Sequence, residues 1–331
     1  MTDLAGEALF GLPLPEIWFA LVFFVLGMFL FLDGFDFGIG ILFATREDDA
    51  EKETLLAAIG PFWDGNEVWL VVFGGALFAA FPEVYATLFS RYYLLMFAIL
   101  AALGLRGLSP EMYEEREDER WRRYWGWAFV VGSALAPFLL GVFAINWLTG
   151  VAGIVSAPGV LGGLAVVALT VADGAAFLGL KTRGSLRDDA SAYGVRAAAA
   201  YLVLVALTLV AVYVTVPALR SALLSLPVIT LVLLSVALVA GYVVATRRGE
   251  YLAAFASVGA LVFGLVTVIA VAMFPTVDRA TGLTVSAGIV SPLPLNLMSI
   301  MMALLLPIVL SYFAVLYSVF SGPIESGETY G

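Results

Sequence analysis

Two carboxylates, Asp64 and Glu67, stand in Gly60-Pro-Phe-Trp-Asp-Gly-Asn-Glu-Val-Trp-Leu70, and from Val68 to Phe81 nothing charged follows them. They lie at the mouth of an apolar segment long enough to cross a bilayer, where an unpaired carboxylate costs several kcal/mol. Spaced three apart, they face roughly the same way on a helix. Just upstream, Phe31-Leu-Asp-Gly-Phe-Asp-Phe-Gly-Ile-Gly40 repeats the spacing with Asp33 and Asp36 inside another apolar run. Buried acids at two sites suggest proton or ion handling. The scaffold readings are equally concrete. Asp64 could cap a helix opened by Gly60-Pro61, and Asp33 and Asp36 could be a buried pair bonded to Arg106, which is close enough in depth to reach Asp36 if their spans are neighbours. Asp173-Gly174 echoes Asp33-Gly34, but Ala176 stands where the second acid would fall, so Asp173 reads as a structural relic.

The elements that must position these acids are membrane helices. Of 331 residues, 62% are hydrophobic and 13% charged, too apolar a mix for a soluble globule. Apolar runs of roughly twenty residues recur, without the ten-residue alternation of a barrel. The expected fold is an all-α integral membrane protein of about nine transmembrane helices. They cover about Ile17 to Phe43, Phe62 to Ala80, Tyr85 to Leu105, Trp121 to Trp147, Gly159 to Leu180, Val195 to Val216, Leu224 to Thr246, Tyr251 to Phe274 and Leu295 to Phe320, the last kinked at Pro307. Gly34 and Gly38 in GxxxG register let a neighbour approach the first span. A loose echo of the first and fourth spans in the fifth and eighth suggests two four-helix bundles related by a parallel pseudo-repeat, residues 1–150 and 151–275 of a single membrane domain. The ninth helix and tail, 276–331, are appended.

Thirteen of the sixteen Lys and Arg residues fall on one set of loops and span ends; only Arg91, Arg220 and Arg279 fall on the other. By the positive-inside rule the N-terminus is outside, the C-terminus is cytoplasmic, and the acids occupy the cytoplasmic half. The location expected is the plasma membrane of a prokaryote. No signal peptide is expected, because the first span is long and no Lys or Arg precedes it. The net charge of -10 reads as solvated loops and tails, and no nucleic-acid partner is implied. The chain contains neither His nor Cys. It therefore cannot offer the imidazole or thiolate that most haem, copper and zinc sites use, and metal redox chemistry would need another subunit.

Leu32-Asp-Gly-Phe-Asp-Phe-Gly-Ile-Gly40, the Gly60–Leu70 stretch and Gly74-Gly-Ala-Leu-Phe-Ala-Ala-Phe-Pro82 resemble subunit II of cytochrome bd-type quinol oxidases, as do Trp121 to Trp127, Met273-Phe-Pro275 and Leu295-Asn-Leu-Met298. The resemblance implies a subunit that binds no cofactor alone and pairs with subunit I, which carries haem b and haem d and takes the quinol. Small single-span accessory subunits, membrane lipids and a structural quinone or lipid between the bundles are left open. It further implies that Asp64 belongs to a cytoplasmic proton route with Trp69 along it and Glu67, an amide in some relatives, ranked below Asp64. Asp36 and Arg106, with Asp33 beside them, support the haem pocket across the subunit interface. Competing readings are a proton-coupled secondary transporter and a purely structural assembly subunit.

Overall fold

The computed structural model describes residues 9–324, and its elements are almost entirely helical. In chain order they are α1 (Leu14–Leu42), α2 (Asp49–Ile59), α3 (Trp63–Ala80), α4 (Pro82–Arg91), α5 (Tyr93–Glu114), α6 (Glu119–Thr149), α7 (Ala157–Lys181), α8 (Gly184–Thr215), α9 (Arg220–Leu223), α10 (Leu226–Arg247), α11 (Tyr251–Met273), α12 (Val285–Gly288) and α13 (Pro292–Val319). Among the described residues, eight helices are long and apolar enough to cross a membrane. The 18-residue α3 falls outside that set because Asp64, Asn66 and Glu67 crowd its first turn and a half.

The ends of these helices follow from local chemistry. Asp48 accepts a hydrogen bond from Ala50 N at the start of α2, Asp118 from Trp121 N at α6, and Ser156 from Gly159 N at α7, so each side chain satisfies a donor left over in a first helical turn. Part of the acidic run at Glu47 to Glu53, expected to be a solvated loop, is the first turn of α2, where negative charge faces the positive end of the helix dipole.

One expected span is corrected. The segment Tyr85 to Leu105 is broken at Tyr92: Pro82 opens α4, a short helix with polar and apolar faces, and α5 begins afresh at Tyr93. The break is held because the buried Tyr92 hydroxyl donates to the carbonyls of Asn146 and Val151, 2.9 and 2.6 Å away. The true span runs farther, to Glu114, and Arg106 lies inside it rather than just beyond it. α8 likewise starts at Gly184, eleven residues ahead of the expected Val195, and α13 runs unbroken through Pro307. A two-stranded antiparallel hairpin, β1 (Thr276–Asp278) and β2 (Leu283–Thr284), joins α11 to α12 and has no counterpart in the helical pattern of the sequence.

α1 is the hub, in contact with α3, α6, α7 and α11, while α7 meets α8, α6 and α11 in turn. α5 packs on α6, and α10 packs on α11. Where α1 crosses α7 the backbones touch: a Cβ on Gly38 would lie 1.9 Å from Thr170 O, and one on Gly174 would lie 2.6 Å from Ile39 N. Phe35 and Phe177 stack beside this crossing at 4.0 Å.

At the end of the bundle away from Asp64, a clamp fastens α4 to the hairpin. Arg91 binds Asp278 through two parallel contacts, Nη1–Oδ1 3.0 Å and Nη2–Oδ2 3.2 Å, and Thr281 Oγ1 and Ala280 N also donate to the same carboxylate. Burial alone would push the Asp278 carboxyl up, but the hydrogen bonds from Arg91 and Thr281, the Arg91 charge and the Ala280 N–H outweigh it and hold the group below the ordinary carboxylate range. A depressed folded-state pKa means the clamp's contribution is complete above the ordinary range and is lost as pH falls through the lowered value. Asp278→Asn is therefore expected to lower stability near neutrality by about 2 kcal/mol, with the gap to wild type closing in acid. Thermal unfolding in detergent at a series of pH values measures this, and a gap that widens in acid contradicts it.

Candidate functional site

The acids of α1 and α3 meet at one guanidinium. Arg106 of α5 is 1% exposed and sits between three carboxylates: Nη2 is 3.1 Å from Asp33 Oδ1 and 3.3 Å from Asp36 Oδ2, and Nη1 is 3.8 Å from Glu67 Oε2. The rings of Phe37 and Trp63 flank it, with centroids 5.3 and 5.7 Å from its Cζ. The position depends on Gly132 of α6, since a Cβ there would stand 2.6 Å from Arg106 N, so only a bare backbone lets α5 come this close.

Asp33 and Asp36 are fully buried, and Glu67 is half-buried. Asp33 and Asp36 share the Arg106 Nη2 cation from one helix. Asn66, one turn into α3, donates from Nδ2 to Asp36 Oδ2 (2.9 Å) and to Leu32 O (3.0 Å), and its Oδ1 accepts from the Tyr317 hydroxyl of α13 at 2.9 Å. Neither Asn66 nor Tyr317 was singled out by sequence reasoning. The signal for Asn66 was its register, three residues after Trp63, and its polar side chain beside Glu67 in an apolar run; Tyr317 lies in a plainly apolar helix and gave none.

The other candidates are placed as follows. Asp64 is exposed in the first turn of α3, next to the cap position, which Phe62 occupies. It is thus at the rim, while Glu67, one turn on, points toward Arg106. Trp69 is buried beside Phe313, ring centroids 5.5 Å apart, and its Nε1 has no hydrogen-bond partner among the described residues. Asp173 is fully buried directly across from the α1 motif: a Cβ on Gly34 would be 3.1 Å from its Oδ2. Neither of its oxygens is hydrogen-bonded among the described residues, so the residue read as a relic lies beside the cluster rather than apart from it.

Together these residues could accept, hold and hand on protons. An exposed carboxylate stands one turn before a half-buried one on α3, and the half-buried one shares a fixed cation with two buried carboxylates of α1. Among the described residues no group of three or more His, Cys, Asp or Glu is arranged to hold a metal ion.

The description cytochrome bd terminal oxidase subunit II fits residues 14–320 of the chain. A curated relative, cytochrome bd ubiquinol oxidase subunit 2 of Bacillus subtilis, is 32% identical over 95% of this chain and 98% of its own length. Cytochrome bd-I ubiquinol oxidase subunit 2 of Escherichia coli is 37% identical over 51% of this chain and 49% of its own, so the chain aligns with about half of that relative. The solved structure of bd oxidase from Geobacillus thermodenitrificans superposes with a TM-score of 0.77 over 93% of this chain and 99% of the matched one, at 18% identity, and shares the fold. The chain belongs to the cytochrome bd terminal oxidase subunit II family, and with it to the membrane-bound oxidoreductase complexes of the respiratory chain in which subunit II accompanies a subunit I.

Proposed function

We propose that this chain conducts protons from the membrane face carrying Asp64 toward the partner subunit of a quinol oxidase, and braces that partner. Asp64 collects the proton at the surface, Glu67 receives it, and the Asp33–Asp36 pair holds it beside Arg106. Reduction of O2 to water consumes one proton for each electron, and those protons must cross low-dielectric protein to reach a buried reaction centre. Haem b and haem d, in the partner, would supply the electron transfer and oxygen chemistry; this chain has no His or Cys to offer their iron. Quinol, named for the curated relatives, would likewise be taken by the partner. The face bearing Asp64 is the cytoplasmic one in this reading, because the Lys- and Arg-rich loops lie on the same side.

The observation that carries the proposal is the arrangement of three carboxylates around one guanidinium, graded from half-buried Glu67 to fully buried Asp33 and Asp36, with exposed Asp64 at its outer end. Such a gradient is what a carrier of protons needs. The transporter reading loses support, since transporter sites sit between matching halves and the second half brings only Asp173 to this cluster. The assembly reading keeps one observation, the complete burial of Arg106 with Asp33 and Asp36, which would clamp α1 to α5 with no proton moving.

Asp64→Asn separates the two. It preserves shape and abolishes titration, so the purified two-subunit complex is expected to retain its haem spectrum but consume oxygen at least about tenfold more slowly, with Asp64→Glu keeping part of the rate. Normal oxygen consumption in a haem-replete Asp64→Asn complex would leave only the clamp.

A further inference from the structure

The hydrogen-bond chain from α13 to Asp36 is one of several ties on α13. α13 is anchored elsewhere: Asn296 Oδ1 accepts from Leu9 N, Ser299 accepts from Trp18 Nε1, Lys181 Nζ donates to Phe320 O, and Ile324 N donates to Lys181 O. The Tyr317 ring is also fixed without its hydroxyl, stacked on Phe62 at 4.6 Å and edge-on to Phe35 at 6.3 Å. What the hydroxyl adds is one directed bond to Asn66 Oδ1. That bond fixes the accepting end of the amide while Leu32 O helps fix the donating end, because a carboxamide has one of each. With Oδ1 turned to Tyr317, Nδ2 must face Asp36 Oδ2, the same oxygen that Arg106 Nη2 approaches. Asp36 Oδ1 then accepts no hydrogen bond among the described residues.

We propose that Tyr317 is a positioning residue for proton transfer: by holding the Asn66 amide it keeps the Nδ2 donor on Oδ2 of Asp36, the oxygen nearest the Arg106 charge, and leaves Oδ1 as the oxygen that gains and loses the proton. This inference rests on the proton-conduction reading. The charged and titratable groups around Asp36 are Asp33 on its own helix, Arg106 on α5, Glu67 on α3 and Asp173 on α7. The hydrogen bond that Asn66 Oδ1 accepts comes from the Tyr317 hydroxyl, while Arg106 is spread over three carboxylates. Without the hydroxyl, Asn66 Oδ1 is buried with no donor and the amide is held only at its Nδ2 end, by Leu32 O and Asp36 Oδ2, so its bond to Asp36 is less firmly aimed.

The test uses the assembled, haem-replete complex. Tyr317→Phe keeps the ring and deletes only the hydroxyl. Oxygen consumption is expected to fall about threefold to tenfold at unchanged haem content, and the ratio of rates in H2O and D2O is expected to rise because a proton step has become limiting. Tyr312→Phe, an outward-facing hydroxyl on the same helix, should leave both unchanged. In an Asn66→Ala background, Tyr317→Phe should add nothing, because the two residues act as one unit. A Tyr317→Phe complex that loses haem, or whose rate and isotope ratio match wild type while Asp36→Asn is slow, overturns the positioning role and leaves proton conduction standing. An Asp36→Asn complex at full rate overturns proton conduction itself, and the positioning role with it.

Discussion

Replacing Arg106 with Ala is expected to abolish recovery of the assembled complex. Removing the guanidinium strands Asp33 and Asp36, both fully buried, and leaves half-buried Glu67 facing them without a cation. Breaking one side of a buried ion pair costs about 3 to 5 kcal/mol, roughly two to four orders of magnitude in an equilibrium constant. The neighbouring contacts cannot compensate, because Asn66 supplies one donor to Asp36 and none to Asp33. Arg106→Lys retains the charge but not the planar fork that reaches both α1 carboxylates from Nη2 and Glu67 from Nη1, so only partial recovery is expected. Arg116→Ala, at an exposed position, is the control. The measurement is yield of the two-subunit complex by gel filtration with its haem absorbance. Equal yields from Arg106→Ala and Arg116→Ala would sink the shared-cation picture.

The α1–α7 crossing should be nearly as intolerant. Gly38→Ala places a methyl 1.9 Å from Thr170 O and 2.9 Å from Gly174 N. Those neighbours are backbone atoms of a membrane helix, with no rotamer to swing away, so the two helices must separate. Overpacking of this kind costs about 1 to 3 kcal/mol and occasionally more, and separation here also moves Gly34 away from Asp173 and shifts Asp33 and Asp36 relative to Arg106. Gly174→Ala meets Ile39 N at 2.6 Å and should behave alike. Gly264→Ala on α11 has nothing within 4 Å of the new methyl and should be neutral or mildly stabilising. Thermal unfolding midpoints of the three purified variants decide the matter. If Gly38→Ala unfolds where Gly264→Ala does, the backbones do not touch as described.

Asp64 and Glu67 share a helix and a spacing, so sequence ranked them together and placed Asp64 first; the structure exposes Asp64 and turns Glu67 toward Arg106. The difference is one helical turn of depth, and depth is a property of the whole bundle. Asp173, without a second acid in its own helix, looked inert along the chain. It lies beside Gly34 because Gly38 and Gly174 bring two helices together whose sequence separation exceeds 130 residues. Tyr317 is the extreme case, since an isolated tyrosine in an apolar helix carries no local sign that its hydroxyl meets an asparagine 251 positions away.

The sequence by itself determined that this is a helical membrane protein, that its acids come in pairs three residues apart, one at a span mouth and one inside an apolar run, and that it has no His or Cys for a metal, because hydropathy, helical period and composition are local quantities. The motifs of the first 130 residues also carried the family. Only the tertiary structure decided that one buried guanidinium serves three carboxylates from two other helices, that the expected third span is two helices hinged at Tyr92, and that α13 reaches the cluster through Tyr317 and Asn66. Each of these depends on which helix faces touch and how closely. That is settled by backbone contact at glycines such as Gly38, Gly132 and Gly174, whose neighbours lie on other helices.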